Sequence, residues 1–307
     1  MRIVIVGCGD VGLRLARQVR GRARLYGVLR SPGRVAELRA AGVTPIPGDL
    51  DDRRSLRRLA GILRGADWLI HLAPPPGSGE TDPRTRRLLT ALNRSSLPRA
   101  LVYVSTSGVY GDCAGEQVSE TRPPRPHNAR ARRRLDAERR LRRHAAAAGR
   151  RLVILRAPGI YAEDRMPAER VRQGLPALRP EEDIHTNHIH ADDLAGLCLA
   201  AARRGRGGRV YNAVDDSGLR MGDWFDVVAD HLGLPRPPRL PRAEVMATVT
   251  PAMQSFLSES RRLDNGRIKR ELRYRLRQPT VHDCLPPARG TYPDGRGAPA
   301  ALRVAPG

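Results

Sequence analysis

The chain has 307 residues, of which 40% are hydrophobic and only 4% aromatic. This length is sufficient for one large α/β core, or for a core with a smaller lobe, built mainly from Val, Leu, Ile and Ala. The apolar runs, such as residues 3–6, are too short to cross a bilayer, and the N-terminus lacks the layout of a signal peptide. We therefore expect a soluble cytoplasmic protein with no membrane partner.

The formal net charge of +23 results from 55 basic and 32 acidic residues. A charge of this size attracts polyanions, so a nucleic-acid-binding protein is one hypothesis. However, Lys269 is the only lysine, and selection for phosphate contacts would not exclude lysine. A compositional bias toward arginine explains the charge better, and we expect no specific nucleic-acid partner.

Short apolar runs alternate with segments of helical spacing along the first half of the chain. The strand candidates are residues 2–6, 25–29, 43–46, 68–73, 101–105 and 152–156. The helix candidates are residues 13–20, 35–41, 55–63 and the arginine-rich segment 126–144. This alternation predicts the α/β class, with a doubly wound parallel sheet. Farther on, residues 192–202, 223–232 and 262–272 are predicted helices, and residues 210–213 a short strand.

A glycine-rich motif, G-x-G-x-x-G, stands at Gly7, Gly9 and Gly12. It follows the first predicted strand and opens a helix, which is the context that a dinucleotide-binding loop requires. Gly7 allows the tight turn, Gly9 lets the backbone approach a pyrophosphate, and Gly12 allows close packing of helix on strand. With the positive end of the helix dipole, these glycines and the intervening Asp10 and Val11 form a predicted cofactor site. The alternative is a plain βα turn.

The end of the second predicted strand indicates which nucleotide is bound. An NAD site usually has an acidic residue there, on the ribose hydroxyls, but residues 28–34 read VLRSPGR. Arg30, Ser31 and Arg34 can instead hold a 2′-phosphate through charge-assisted hydrogen bonds. We predict NADP as the cofactor and NAD as the less favoured alternative, since an arginine can occur here by chance.

Six further segments occur in an order that resembles the NAD-dependent epimerase/dehydratase family, a group of extended or atypical short-chain dehydrogenases/reductases. They are GDL (48–50), HLAPPP (71–76), VSTSGVYG (104–111), LRAPGIY (155–161), IHADDLA (189–195) and SRRLDN (260–265). The resemblance covers most of residues 1–285. It implies cofactor contacts by Asp49, Leu50, Ala73 and Pro74, and an active-site hydroxyl at Thr106.

The family's catalytic Tyr-x-x-x-Lys motif is missing. In the family this tyrosine exchanges a proton with the substrate, and the lysine holds the nicotinamide ribose. Between Tyr110 and Tyr161 the chain has neither a tyrosine nor a lysine, as in atypical branches of the family. Alignment of the arginine-rich segment with the family's catalytic helix puts Arg130 at the tyrosine position and Arg134 at the lysine position. Guanidinium does not give up its proton, so we assign Arg130 to stabilising an oxyanion and Arg134 to the ribose or phosphates, beside Thr106.

The resemblance implies a Rossmann fold with a smaller C-terminal substrate lobe. We expect an NADP-binding Rossmann domain in residues 1–157, to which residues 184–213 return. Residues 158–183 and 214–285 form the substrate-capping lobe, and residues 286–307 are a disordered tail because they are rich in Gly and Pro. A homodimer is also considered.

The implied function is oxidoreductase or epimerase-type chemistry on a small carbonyl, alcohol or sugar-nucleotide substrate. The missing motif leaves a second hypothesis open, a non-catalytic NADP-binding redox sensor or regulator. Tyr161 and His71 are candidates for a relocated acid.

The segment IHTNHIHADD supports two interpretations, a metal site and a structural role. His188 and His190 share a face of an extended strand, and with a neighbouring aspartate they match a 2-His-1-carboxylate pattern. The alternative is a structural His190, followed by aspartates that cap a helix. We predict no metal. The four cysteines form no Cys-x-x-Cys pair, which favours reduced thiols.

Overall fold

The computed structural model describes residues 1–92 and 98–288. In chain order the strands are β1 (Arg2–Val6), β2 (Arg24–Leu29), β3 (Val43–Pro47), β4 (Trp68–His71), β5 (Ala100–Thr106), β6 (Gln117–Val118), β7 (Arg151–Ala157), β8 (Gly159–Tyr161), β9 (Ala177–Leu178), β10 (His188–His190), β11 (Val210–Asn212), β12 (Arg239–Leu240) and β13 (Arg262–Leu263). The α-helices are α1 (Asp10–Gln18), α2 (Val35–Ala40), α3 (Arg57–Leu63), α4 (Pro83–Leu92), α5 (Ala129–Ala147), α6 (Ala168–Arg172), α7 (Ala191–Arg204), α8 (Met221–Leu232), α9 (Arg242–Thr248), α10 (Pro251–Leu257), α11 (Gly266–Arg270) and α12 (Val281–Cys284).

Seven of these strands form one parallel sheet in the order β11-β7-β5-β4-β1-β2-β3. The chain builds outward from β1 to β3 and then crosses back to place β4 on the other side of β1. The prediction of a doubly wound, Rossmann-type parallel sheet is confirmed. In such a sheet the crevice outside the carboxyl ends of β1 and β4 is where ligands bind.

Both faces of the sheet are buried, which is why its strands read as continuous apolar runs. Ile3 and Ile5 of β1 point into the cluster that contains α1 and α7, whereas Val4 and Val6 point into the cluster that contains α3, α4 and α5. All four side chains are fully buried. The strand that carries the glycine loop is therefore held at the centre of the fold.

The C-terminal part has its own hydrophobic clusters. One is built around α8, where Trp224, Phe225 and Val228 pack with Tyr161, and another includes Val245 of α9. The two-stranded parallel pairs β8–β10 and β6–β13 connect this part to the rest, whereas β9 and β12 pair within it. The domain boundary at residue 157 stays a prediction.

The arginine-rich segment forms α5, which begins after Asn128. The Asn128 side chain accepts a hydrogen bond from the Ala131 N–H at 2.9 Å, a normal N-cap. The inner face of α5 is apolar, since Leu135, Ala137, Leu141 and Ala145 are buried.

Several predicted bounds were wrong. Helix α4 was not predicted, and α1 already begins at Asp10, directly on the glycine turn. The predicted helix 262–272 begins only at Gly266, because Arg262 and Leu263 pair with β6.

The expectation that an aspartate caps α7 was also wrong. The cap is His190, whose Nδ1 accepts from the Asp192 N–H at 3.2 Å, because β10 ends at this histidine. The Asp193 carboxylate instead accepts hydrogen bonds from Tyr274 and from the backbone at Arg277 and Gln278.

Most of the predicted disordered tail, residues 289–307, lies outside the described residues. The first residues of the predicted tail, 286–288, are described and contact α8, where the Ala288 N–H donates to the Asp230 carbonyl at 2.9 Å. None of the helices in the described residues combines the length and hydrophobicity that a membrane span needs.

Candidate active site

A cavity of about 670 Å³ opens at the carboxyl ends of the central strands. The glycine loop after β1, the end of β5 and the first turns of α5 form part of its wall. Residues from the C-terminal part complete it, among them Met221, Phe256 and Glu259. The cavity therefore lies where the topology of the sheet places a ligand.

The glycine loop is shaped by its own packing at two of its three glycines. Gly7 has φ +84°, and a Cβ there would lie 2.4 Å from the backbone nitrogen of Ala73. A Cβ on Gly12 would meet the Cys8 sulfur at 3.1 Å. At Gly9, in contrast, a Cβ would meet no atom within 4 Å in the part of the chain that the structure describes. Gly9 thus leaves open space at the first turn of α1, where the helix dipole favours an anion.

Asp10 ties the glycine loop to the C-terminal side of the cavity. Its carboxylate pairs with Arg14 at 2.8 Å and with Arg165 at 3.3 Å. Asp10 and Arg165 both line the cavity, as do Gly9, Val11 and Gly12. Arg165 therefore connects the first turn of α1 to the C-terminal side of the cavity.

The residues predicted to select the nucleotide lie beside this loop, at the end of β2. Arg34 donates to the Cys8 carbonyl at 3.4 Å and pairs with Glu37 at 2.7 Å. Arg30 and Ser31 are exposed. None of the predicted three lines the main cavity, so they form a separate basic edge beside the glycine loop.

The predicted contacts after β3 and β4 are only partly in the cavity. Pro74 lines it, whereas Ala73 is buried against Gly7. Asp49 and the buried Leu50 follow β3 and do not line the cavity. They lie at the same edge of the sheet as the basic residues after β2, because β2 and β3 are parallel neighbours.

The three predicted catalytic residues come together at the cavity. Thr106 ends β5, and its Oγ1 accepts a hydrogen bond from the Gly108 N–H at 3.2 Å. From α5, Arg134 donates to the Val104 carbonyl at 2.9 Å and to the Tyr103 hydroxyl at 3.2 Å. Arg130 lines the same cavity.

Neither candidate for a relocated acid lines the cavity. His71 is 2% exposed, with its Nε2 3.0 Å from the Thr85 hydroxyl, and burial lowers the pKa of His71 to about 3. Tyr161 is 1% exposed beside Trp224 and His190, and burial raises the pKa of its hydroxyl. His71 is a buried neutral side chain, and Tyr161 belongs to the core around α8.

Sequence reasoning missed several cavity-lining residues. They are Ser105, Arg133, His185, Asn187, Glu259 and Arg261. Helical spacing would have pointed to Arg133, since it lies one turn after Arg130. Glu259 borders the segment SRRLDN, and Arg261 belongs to it. His185 belongs to the segment IHTNHIHADD, for which a metal site was one of the two interpretations. In the described residues no group of three His, Cys, Asp or Glu side chains is arranged to hold a metal ion.

The chain matches the model of the NAD dependent epimerase/dehydratase family over residues 3–213. The match spans more than half of the 307 residues, and the chain belongs to this family. The resemblance inferred from the sequence is thereby confirmed. No curated protein matches the chain in sequence.

Solved structures share the fold over nearly the whole chain. A functionally unknown conserved protein from Silicibacter pomeroyi is 30% identical, with a TM-score of 0.76 over 92% of this chain and 96% of that one. A nucleoside-diphosphate-sugar epimerase from Pseudomonas aeruginosa is 20% identical, with a TM-score of 0.76 over 93% and 95%. A dTDP-glucose 4,6-dehydratase from Streptomyces venezuelae, solved with NAD bound, is 22% identical, with a TM-score of 0.72 over 93% and 94%.

Family membership defines the class of function. The chain is an NAD(P)-binding protein of the short-chain dehydrogenase/reductase type, and an epimerase or oxidoreductase function is favoured over a non-catalytic regulator.

Proposed function

We propose that the protein binds NADP along the glycine loop and uses it in oxidoreductase or epimerase-type chemistry on a small carbonyl, alcohol or sugar-nucleotide substrate. One observation carries this proposal: the glycine loop, Thr106 and Arg134 line one cavity at the switch point of the sheet. When bound, the nicotinamide supplies hydride transfer. The open space at Gly9 fits the approach of a pyrophosphate.

The chain offers separate groups for each part of the cofactor. Backbone N–H groups at the start of α1 suit the pyrophosphate, and the basic edge after β2 suits a 2′-phosphate. The adenine belongs beside the residues that follow β3. The residues proposed to hold the cofactor are Gly7, Gly9, Asp10, Val11, Gly12, Arg30, Ser31, Arg34, Asp49, Leu50, Ala73 and Pro74.

On the substrate side, the Thr106 hydroxyl can both donate to and accept from a substrate oxygen. Arg134 supplies the cation that a lysine provides elsewhere in the family, and Arg130 stabilises negative charge on that oxygen. Without a tyrosine acid we expect slow turnover, because a positioned acid or base is typically worth ~10²–10⁴-fold. Residues 158–183 and 214–285 are proposed to cap the substrate, since Met221 and Phe256 line the cavity from that side.

Gly9 gives a sharp test of the cofactor site. A methyl group added at Gly9 meets no atom of the described residues within 4 Å, so Gly9→Ala should fold normally while it obstructs the pyrophosphate. We expect fluorescence titration to show weaker NADPH binding by Gly9→Ala. Native mass spectrometry of the purified wild type should show a retained nucleotide.

Gly61→Ala in α3 is the matched control, because a Cβ there also meets nothing within 4 Å. It should leave NADPH affinity unchanged. Wild-type protein that binds neither NADPH nor NADH would contradict the proposed function.

A further inference from the structure

Three arginines in the first turns of α5 bring positive charge to the cavity, and among the described residues none of them forms an ion pair with a carboxylate. Arg133 donates to the Gly79 carbonyl at 2.6 Å, and Arg134 bonds to a carbonyl and a hydroxyl. Arg130 lies 4.2 Å from the centre of the Phe256 ring. All these partners are neutral, and all three arginines line the cavity.

Most carboxylates around α5 are paired with other arginines, and the buried Asp82 accepts hydrogen bonds from Thr85. The pairs are Glu80–Arg132, Asp136–Arg140, Glu138–Arg156 and Glu259–Arg261. Within the described residues, the charge of the three cavity arginines is therefore not compensated by an ion pair, and a ligand with negative charge would compensate it.

Buried donors on the cavity wall also lack partners. Arg133 is 7% exposed, and in the described residues its Nε has no hydrogen-bond partner. The Ser105 hydroxyl, 3% exposed, is in the same situation. Unsatisfied buried polar groups are uncommon in native proteins and call for an explanation. Both residues line the cavity, so a bound ligand is a candidate partner for each group.

The arginines also repel one another. Although solvent reaches Arg130, the surrounding protein desolvates its guanidinium and lowers its pKa. Glu259 opposes this shift, while the positive charges of Arg134, Arg261 and Arg133 add to it. A bound anion would relieve this repulsion.

We infer that the substrate carries an oxyanionic group, a carboxylate or a phosphate, which Arg130 and Arg133 bind at the first turns of α5. The inference rests on the proposed function, in which the cofactor's phosphates lie at α1, on a different wall, and Arg134 serves the ribose. Arg130 can face the reacting oxygen and the anionic group together, since a guanidinium has five N–H donors. Guanidinium groups match both oxyanions through paired hydrogen bonds. The substrate class is thus an anionic carbonyl or alcohol compound.

The test is calorimetric titration of the NADPH-saturated protein with inorganic phosphate and, separately, with malonate, at constant ionic strength. We expect saturable binding of at least one probe, and the preferred probe distinguishes phosphate from carboxylate. Arg130→Gln should lower the affinity for the preferred probe by about tenfold or more, the scale of one charge-assisted hydrogen bond. Arg130 is exposed, so this variant should fold.

Arg132→Gln is the matched control, since it removes the same charge from the same helix but at an exposed residue paired with Glu80. It should leave the affinity unchanged. Arg133→Gln should weaken binding as Arg130→Gln does, and Arg133→Lys provides a second variant if the glutamine disturbs the buried position.

No saturable binding of either probe would overturn the inference, and so would equal losses in Arg130→Gln and Arg132→Gln. NADPH titration without added anion tests the proposed function separately. If the protein binds NADPH normally but neither phosphate nor malonate, this inference alone is contradicted. If the protein fails to bind NADPH but the free protein binds phosphate or malonate saturably, the proposed function alone is contradicted.

Discussion

Arg156 on β7 and Glu138 on α5 form a two-pronged ion pair in the interior. The Nη2–Oε2 and Nε–Oε1 distances are 2.8 Å and 3.1 Å, and the side chains are 4% and 1% exposed. The same guanidinium lies 4.6 Å from the centre of the Tyr110 ring. This pair fixes the helix that carries Arg130 and Arg134 against the sheet.

Removing one partner of this pair should destabilise the fold strongly. Arg156→Leu or Glu138→Leu leaves an uncompensated buried charge, and each should lower the free energy of unfolding by about 3–5 kcal/mol. The double variant should lose less than the sum of the two single losses, because no charge remains buried. Urea unfolding of the four proteins measures this, and additive losses would refute a coupled pair.

Cofactor choice should depend on Arg30. Wild-type protein should bind NADPH more tightly than NADH, and Arg30→Asp should lower the NADPH affinity by about 1.5–3 kcal/mol, the scale of a hydrogen bond to a charged group. Fluorescence titration with both nucleotides gives the comparison. Equal affinities in the wild type would remove the role assigned to Arg30.

Thr106 and Arg134 should separate turnover from cofactor binding. Arg134→Ala should weaken NADPH binding, whereas Thr106→Val should leave it nearly unchanged and abolish turnover, because it keeps the shape and removes the hydroxyl. Thr106→Ser restores the hydroxyl and should recover activity. A cofactor-bound structure in which both side chains lie beyond water-mediated reach of the nicotinamide ribose would show the assignment to be wrong.

Acid should destabilise the protein through two buried histidines. Burial lowers the pKa of His71 and of His188 from 6.5 to about 3. The unfolded chain therefore binds more protons between these values, and stability present above pH 6.5 is lost as the pH falls toward 3. Each histidine contributes up to about 1.4 kcal/mol per pH unit.

Urea unfolding at pH 7 and pH 4.5 measures this loss of stability. His188→Gln should reduce the difference in unfolding free energy between the two pH values, whereas the same change at the exposed His282 should not. A slope that stays unchanged in His188→Gln would contradict the role of this histidine.

The large positive charge should give only weak binding of duplex DNA. If arginine enrichment is compositional, binding should lack sequence preference and largely disappear at about 0.2 M salt. A gel-shift series at increasing salt measures this. A sequence-selective complex that survives would make nucleic-acid recognition the better hypothesis.

Local features of the sequence determined the sheet and the position of the cofactor loop. Apolar runs of strand length that alternate with helices are typical of a parallel sheet covered on both faces. The turn at Gly7 requires a positive φ, which glycine adopts readily. The missing Tyr-x-x-x-Lys pair is also a fact of sequence, because no tyrosine or lysine occurs between Tyr110 and Tyr161.

Only the tertiary structure decided which arginines face the cavity. Arg132 and Arg133 are adjacent and chemically identical, yet Arg132 is exposed and pairs with Glu80, whereas Arg133 is 7% exposed and lines the cavity. Likewise, His71 and Tyr161 were plausible acids by residue type, but packing buries both outside the cavity. The reason is physical: each helical residue turns by about 100°, so the side chain that reaches the cavity depends on how α5 docks on the sheet, which its own composition does not specify.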